Sequence, residues 1–228
     1  MPSHVRQVPA RSGGGSRYIV VEGPIGVGKT ALAARLAEAL GAGLLLESAA
    51  ENPFLERFYR TGYSHALPTQ LFFLFQRAKQ IDELRQDDLF SATRVSDFLL
   101  DKDRLFAEIN LDREELELYQ QIYDRLDLDP PIPDLVVYLQ APVAVLRQRI
   151  ARRGIDYEQL IDSAYLERLT EAYARFFHGY NQSPLLIVNA AGIDPVHNDA
   201  DLEALVRQVE RTTSGRHFFN PIAAAAIG

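Results

Sequence analysis

Short apolar runs recur along the chain, and longer segments with a helical pattern of apolar residues separate them. Parallel strands that are buried on both faces have this short and mostly apolar appearance, so each run is a predicted strand. The five predicted strands are Tyr18–Val21, Leu44–Leu46, Arg94–Ser96, Leu135–Leu139 and Leu185–Val188.

The other segments favour helices, because their apolar residues recur at the spacing of one helix face. Leu32, Leu36 and Leu40 form such a face after the first strand. The alternation predicts an α/β fold, a doubly wound, five-stranded parallel sheet flanked by helices, with ligands beyond the carboxyl ends of the strands. The predicted helices are Thr30–Leu40, Pro53–Tyr59, Thr69–Arg85, Arg104–Ile109, Arg113–Leu128, Pro142–Arg152, Ala164–Phe177 and Leu202–Arg211.

The composition of the 228-residue chain narrows its partners. A net charge of −7 leaves no broad basic surface for nucleic acid, and the absence of cysteine excludes disulfides and thiolate metal sites. No apolar run approaches the roughly 20 residues that a membrane span needs. We therefore expect a cytoplasmic protein that binds neither nucleic acid nor a membrane. We predict a disordered tail at residues 1–16, one domain at 17–212 and a C-terminal tail at 213–228.

The segment Gly23–Thr30 carries the P-loop pattern G-x-x-x-x-G-K-[ST] between the first strand and the first helix. In such a loop, backbone N–H groups surround phosphate oxygens, the lysine contacts the terminal phosphates and the hydroxyl holds Mg²⁺. Lys29 and Thr30 have these positions here. The sequence therefore predicts a nucleoside triphosphate site with Mg²⁺. The loop residues expected to contact the nucleotide are Gly23, Gly26, Val27, Gly28, Lys29 and Thr30.

Two acids directly follow predicted strands. Glu47 comes after Leu44–Leu46, and Asp97 comes after Arg94–Ser96. Phosphoryl transfer needs one carboxylate near Mg²⁺ and another that accepts the proton of an attacking hydroxyl, and this pair suits that division. The alternative is that each acid caps a helix or lies on the surface.

Four arginines cluster on one predicted helix and precede a glycine, Gly154. They lie away from the apolar face of that helix, so we expect them to meet an anion. An arginine-bearing helix end that leads into a loop is typical of a lid over transferring phosphates, here at residues 149–160. A solvated helix face is the alternative. The four arginines are Arg147, Arg149, Arg152 and Arg153.

Gln70 and Arg77 lie two turns apart on one side of a predicted helix. An amide and a guanidinium in line can read the edge of a base, but their spacing alone favours a surface feature. We expect the nearby aromatic residues to belong to the core. They are Phe72, Phe73 and Phe75.

Together these residues resemble the deoxynucleoside kinase family, most of all its bacterial deoxyadenosine and deoxyguanosine kinases, which are related to deoxycytidine kinase. The likeness runs from about Tyr18 to Leu169. It includes a Glu-x-x-x-x-Asn-Pro-Phe-Leu segment at Glu47–Leu55, and the closing segment Gly215–Pro221 is also similar. The resemblance implies a P-loop kinase, commonly a homodimer, that transfers phosphate from ATP with Mg²⁺ to the 5′-hydroxyl of a deoxynucleoside in nucleotide salvage.

The resemblance also implies a role for each matching residue. Glu47 matches the general base, and Asp97 matches an acid that holds Mg²⁺ together with Thr30. Arg149 and Arg153 match lid arginines that act on the phosphates beside Lys29. Gln70, Arg77 and Asp103 match residues that hold the base, and Tyr59 and Glu158 match groups that bind the 3′-hydroxyl.

Three positions depart from the family pattern. Phe98 and Leu99 stand where many members have Arg-Ser after the acid, and that arginine normally lies near the 5′-hydroxyl. Ile155 replaces a third lid arginine. Arg77 donates and Asp103 accepts hydrogen bonds, which suits an adenine, cytosine or guanine edge better than thymine. The likeness to bacterial purine kinases favours a purine.

Two other functions share some of these features. A nucleoside monophosphate kinase of the thymidylate kinase type has a P-loop and an arginine lid, but it needs an arginine near the second strand for the acceptor phosphate. That position carries Glu47, which repels a phosphate. A non-catalytic nucleotide switch usually has an Asn-Lys-x-Asp motif, and the sequence has none.

Overall fold

A computed structural model describes residues 17–87 and 93–221. Within these ranges, six strands form one parallel sheet in the order β2-β3-β1-β4-β5-β6. The predicted tail at residues 1–16 and residues 222–228 of the predicted C-terminal tail lie outside the described residues. The strands are β1 (Tyr18–Glu22), β2 (Gly43–Leu45), β3 (Arg94–Ser96), β4 (Leu135–Gln140), β5 (Leu185–Asn189) and β6 (Arg216–Phe219).

The parallel α/β prediction is confirmed, but the predicted number of five strands is wrong. The sixth strand, Arg216–Phe219, runs along the edge of the sheet and pairs with β5 through a register of Leu185 with Arg216. Its residues are mostly exposed, with Phe218 at 72%. The segment therefore lacks the buried apolar run by which the other strands are predicted.

Eight α-helices lie in the described ranges. Helices α1 and α8 contact each other, while α4 and α6 both contact α7. The main core cluster surrounds the sheet, and a separate one lies where α2, α3 and α5 meet. The helices are α1 (Lys29–Leu40), α2 (Leu55–Thr61), α3 (Ala66–Asp87), α4 (Lys102–Asn110), α5 (Arg113–Arg125), α6 (Val143–Arg153), α7 (Ser163–Gly179) and α8 (Asp199–Arg211).

The strand register brings the functional segments together at the carboxyl ends of the strands. Val20 of β1 lies opposite Ser96 of β3, and Leu45 of β2 also lies opposite Ser96. The P-loop, Glu47 and Asp97 therefore follow the carboxyl ends of three neighbouring strands. In the part of the chain that the structure describes, no helix is long and apolar enough to cross a membrane.

Candidate active site

The P-loop curls between β1 and α1, and its shape requires glycine at two positions. Gly26 and Gly28 have φ values of 82° and 103°, which side chains rarely adopt. A Cβ on Gly26 would also lie 2.9 Å from the backbone oxygen of Leu146 in α6. Lys29 Nζ donates to the carbonyl oxygen of Gly23 at 2.7 Å, so the lysine lies across the mouth of the loop.

Asp97 joins the P-loop to the segment that carries Glu47. The hydroxyl of Thr30 donates to Asp97 Oδ2 at 2.5 Å, and the backbone N–H of Glu47 donates to Asp97 Oδ1 at 2.8 Å. A hydroxyl and a carboxylate beside a phosphate-binding loop are ligands that suit Mg²⁺, which keeps waters and substrate phosphates as its other ligands. The two residues predicted to hold the metal therefore lie together and fit it.

Glu47 lies between two buried cations. The guanidinium of Arg77 bonds to Glu47 Oε1, and Lys102 Nζ lies 3.3 Å from Glu47 Oε2. The side chains of Arg77 and Lys102 are 4% and 3% exposed, so water screens these contacts little. Burial by itself would raise the pKa of Glu47, but Arg77, Lys102 and Lys29 outweigh it and lower that pKa from 4.5 to about 2. Glu47 is therefore a carboxylate at neutral pH.

The residues predicted to hold the base form a second group on the other side of Arg77. Arg77 also bonds to Asp103 Oδ1, and Gln70 Nε2 donates to the same oxygen at 3.3 Å. Asp103 Oδ2 is buried and has no hydrogen-bond partner among the described residues. Burial raises the pKa of Asp103, and the charge of Arg77 opposes that rise. The site therefore offers an unused buried acceptor.

Spacing alone favoured a surface position for Gln70 and Arg77, and that interpretation is wrong. Counted over the whole residue, each is 3% exposed, because α4 packs across this side of α3. The expectation for the aromatic residues needs one correction. Phe75 is 53% exposed, while Phe73 lines the cavity with the Arg77 guanidinium 5.2 Å from its ring centre.

The predicted lid is the end of α6 and the 3₁₀ helix Asp156–Leu160 that follows it. Arg149 donates to the carbonyl oxygens of Val27 and Ala190 at 2.7 Å each, so it joins the P-loop to the end of β5. Arg153 forms an ion pair with Glu158. The helix ends at Gly154, whose φ of 70° reverses the chain.

The groups predicted to bind the sugar also lie beside the lid. Glu158 is 9% exposed and lines the same cavity as Tyr59 of α2. Tyr157 stacks on Tyr59 with ring centres 6.0 Å apart, which joins the lid to α2. Burial raises the pKa of Tyr59 well above its ordinary value, so its hydroxyl stays protonated and can donate a hydrogen bond.

One cavity of about 920 Å³ connects the site. Residues 25–30 of the P-loop, Glu47, Gln70, Arg77 and the lid all line it. Three predicted site residues do not line it, namely Gly23, Asp97 and Asp103. Asp97 contacts Thr30 and Glu47, which do. A cavity of this size is at the upper end of the range for small-molecule sites. The arrangement can therefore hold two ligands, one on the P-loop and one beside Arg77.

Sequence reasoning missed three parts of this site. Lys102 and Glu22 lie in the charged cluster, 3.6 Å apart, and neither belongs to a motif that the sequence displays. An acid that ends an apolar strand just before a P-loop was the available signal for Glu22. The loop at residues 190–197, which follows β5, also lines the cavity beside the P-loop. Its position after a predicted strand was the signal there.

The fold and the site define a class, the P-loop enzymes that transfer phosphoryl groups. The sequence profile of the deoxynucleoside kinase family matches residues 19–214, and the chain belongs to this family. It is 32% identical to a deoxyguanosine kinase of Bacillus subtilis, over 85% of this chain and 96% of that one. A deoxyadenosine kinase of Lactobacillus acidophilus is 28% identical, over 85% of this chain and 95% of that one.

Solved structures agree with this assignment. The deoxyadenosine kinase of M. mycoides with products dCMP and dCDP superposes with a TM-score of 0.74 at 26% identity, over 85% of this chain and 98% of that chain. The same enzyme with dATP gives 0.74 at 25% identity, over 85% of this chain and 99% of that chain. The chain is therefore a kinase that phosphorylates deoxynucleosides, and neither a monophosphate kinase nor a nucleotide switch is favoured.

Proposed function

We propose that the chain transfers the γ-phosphate of ATP to the 5′-hydroxyl of a purine deoxynucleoside, with Glu47 as the general base. One observation carries the proposal. Glu47 lies in the cavity that the P-loop borders, and two buried cations keep it ionised. A carboxylate there repels a monophosphate acceptor but accepts a hydrogen bond from a neutral alcohol.

Each step of the reaction has a candidate residue. Glu47 accepts the 5′-proton while the 5′-oxygen attacks the γ-phosphorus and the bond to the β-phosphate oxygen breaks. Lys29, Arg149 and Arg153 neutralise charge on the transferring group and the leaving diphosphate. Because phosphoryl transfer has a loose transition state, this neutralisation contributes more than proton removal does.

Thr30 and Asp97 are the proposed protein ligands of Mg²⁺. Their 2.5 Å contact, which brings a hydroxyl and a carboxylate together beside the P-loop, supports this assignment. When bound, the ion would offset negative charge on the β- and γ-phosphates. Asp97 also orients Glu47, because it accepts a hydrogen bond from the backbone N–H of Glu47. It therefore serves both the phosphate side and the acceptor side of the site.

The preference for a purine rests on the relatives and on the unused acceptor. The Bacillus and Lactobacillus relatives carry the names of guanine and adenine deoxynucleoside kinases. Asp103 Oδ2 is a buried oxygen without a hydrogen-bond partner among the described residues, and an exocyclic amine is a donor of the kind that it lacks. Thymine has no exocyclic amine. Assembly as a homodimer and a cytoplasmic location stay predictions, and light scattering of the purified protein tests the first.

A turnover panel tests the proposal. Deoxyadenosine, deoxyguanosine, deoxycytidine and thymidine are compared with ATP and Mg²⁺, and deoxyadenosine monophosphate serves as an acceptor control. We expect the two purines to give the highest kcat/KM and the monophosphate to give none. Glu47→Gln should lower kcat by about 10²–10⁴-fold and leave ATP affinity nearly unchanged. A Glu47→Gln enzyme with wild-type turnover would show that the base lies elsewhere.

A further inference from the structure

We infer that Lys102 is a positioning residue for Glu47, because it contacts the carboxylate oxygen that Arg77 does not hold. The inference rests on the proposed role of Glu47 as general base. Lys102 begins α4, five residues after Asp97, and its ammonium group reaches back to the carboxyl ends of β1 and β2.

The two oxygens of Glu47 contact different cations. Lys102 is 2% exposed and lies 3.3 Å from Glu47 Oε2, the oxygen that Arg77 does not hold. Each oxygen of Glu47 therefore has its own cation.

Glu22 fixes Lys102 in this position. Glu22 is fully buried at the end of β1, and its Oε2 lies 3.6 Å from Lys102 Nζ. The same carboxylate accepts from the backbone N–H groups of Gly23 and Leu99 at 2.9 Å each, and from the hydroxyl of Tyr173 at 3.0 Å. Glu22 is therefore held by three donors, and a lysine that pairs with this anchored carboxylate has little freedom to leave Glu47.

The arrangement gives Lys102 a task in orientation rather than in substrate binding. With both oxygens of Glu47 held, the carboxylate keeps one rotamer, and its remaining lone pairs face the cavity. Loss of Lys102 frees Oε2, and a misplaced base lowers the rate of the chemical step. The affinities for ATP and for the deoxynucleoside should change little, because neither ligand needs the ammonium group.

Kinetics of Lys102 variants test this inference. Lys102→Met should lower kcat at least tenfold while the KM for the deoxynucleoside and the Kd for ATP change less than threefold. Lys102→Arg should recover most of the lost kcat. Lys79→Met is the matched control, because Lys79 is 81% exposed on α3 and pairs with the half-exposed Glu83 at 3.9 Å. It should match the wild type.

Chemical rescue distinguishes a positioning charge from a purely structural one. Lys102 lines the cavity, so Lys102→Ala opens a space that ethylammonium can enter. Ethylammonium should raise the kcat of Lys102→Ala several-fold, whereas tetramethylammonium at the same ionic strength should not. Equal effects of the two ions, or no rescue by either ion, would overturn the inference.

A second variant distinguishes the loss of a positioning charge from a failure to fold. Lys102→Met leaves Glu22 without its cation, so the double variant Lys102→Met/Glu22→Gln removes both charges. The amide oxygen of the glutamine keeps an acceptor either for Gly23 and Tyr173 or for Leu99, but not for both sides. A folded double variant with low kcat and normal ATP affinity supports the inference, and wild-type kcat overturns it. Glu47→Gln is assayed alongside. If Glu47→Gln keeps wild-type turnover, the proposed function has failed rather than the role of Lys102.

Discussion

A variant at Arg77 measures how much the buried charge cluster contributes to the stability of the fold, because one guanidinium contacts both Glu47 and Asp103. Arg77→Met removes the cation and keeps most of the side-chain volume. Glu47 retains Lys102, but the fully buried Asp103 keeps, among the residues that the structure describes, only the amide of Gln70 as a side-chain partner. Breaking a buried pair by removing one partner destabilises proteins by about 3–5 kcal/mol. For a domain of this size that predicts a loss of roughly 6–20 °C in Tm.

The assay is thermal unfolding by circular dichroism, with two comparison variants. Arg77→Met/Asp103→Asn leaves no unpaired buried carboxylate at that end, so it should recover a large part of the lost Tm. Arg113→Met breaks the ion pair between Arg113 and Glu117, whose side chains are 87% and 60% exposed respectively. It should change stability by less than about 1 kcal/mol.

The pH dependence has a definite sign. The pKa of Asp103 is raised in the folded state by burial, and Arg77 opposes the rise, so Arg77→Met raises that pKa further. A raised folded pKa gives stability at low pH that is lost as the pH rises through it. The Tm difference between Arg77→Met and wild type should therefore shrink from about pH 8 to about pH 5. A variant within 2 °C of wild type at every pH, or a double variant less stable than Arg77→Met, would refute the reasoning.

Three further predictions concern the parts of the cavity. Gly26→Ala should weaken ATP binding by roughly tenfold or more in calorimetry, since Gly26 has a φ of 82° and an added Cβ would lie 2.9 Å from a backbone oxygen. Gly41→Ala is the control and should bind ATP normally, because Gly41 also has a positive φ but an added Cβ would meet no atom within 4 Å. Glu158→Gln should raise the KM for a deoxynucleoside by roughly 10–100-fold and reduce discrimination against its 3′-deoxy analogue, and unchanged discrimination would contradict the sugar contact. Asp103→Ala should lower kcat/KM for amino-bearing bases far more than for thymidine, and equal losses would refute the base assignment.

The sequence was sufficient for those features that local chemistry encodes. The P-loop pattern predicts the loop at Gly23–Thr30, and short apolar runs predict five of the strands, of which β1, β4 and β5 are the most buried. Strand β6 pairs only at the sheet edge, so few of its side chains are buried and no such run marks it.

The charged cluster was less predictable, because packing between distant elements creates it. Lys102 and Glu22 are 80 positions apart in the chain (102 − 22) and meet only when α4 begins beside the end of β1. Gln70 and Arg77 are buried because α4 covers α3, which the periodicity of α3 does not encode. The resemblance to a kinase family identified this pair, whereas physical reasoning from spacing did not.

The buried charges alternate in sign from Glu22 through Lys102, Glu47 and Arg77 to Asp103. Such a line is a weak source of stability, since desolvation offsets most of the attraction. Its value under the proposed mechanism is that four separate elements have to pack correctly before Glu47 is oriented. Because Arg77 contacts both Glu47 and Asp103, base recognition and proton removal would share one side chain under the proposed mechanism. A change at Asp103 that alters base preference should therefore also change kcat, and not KM alone.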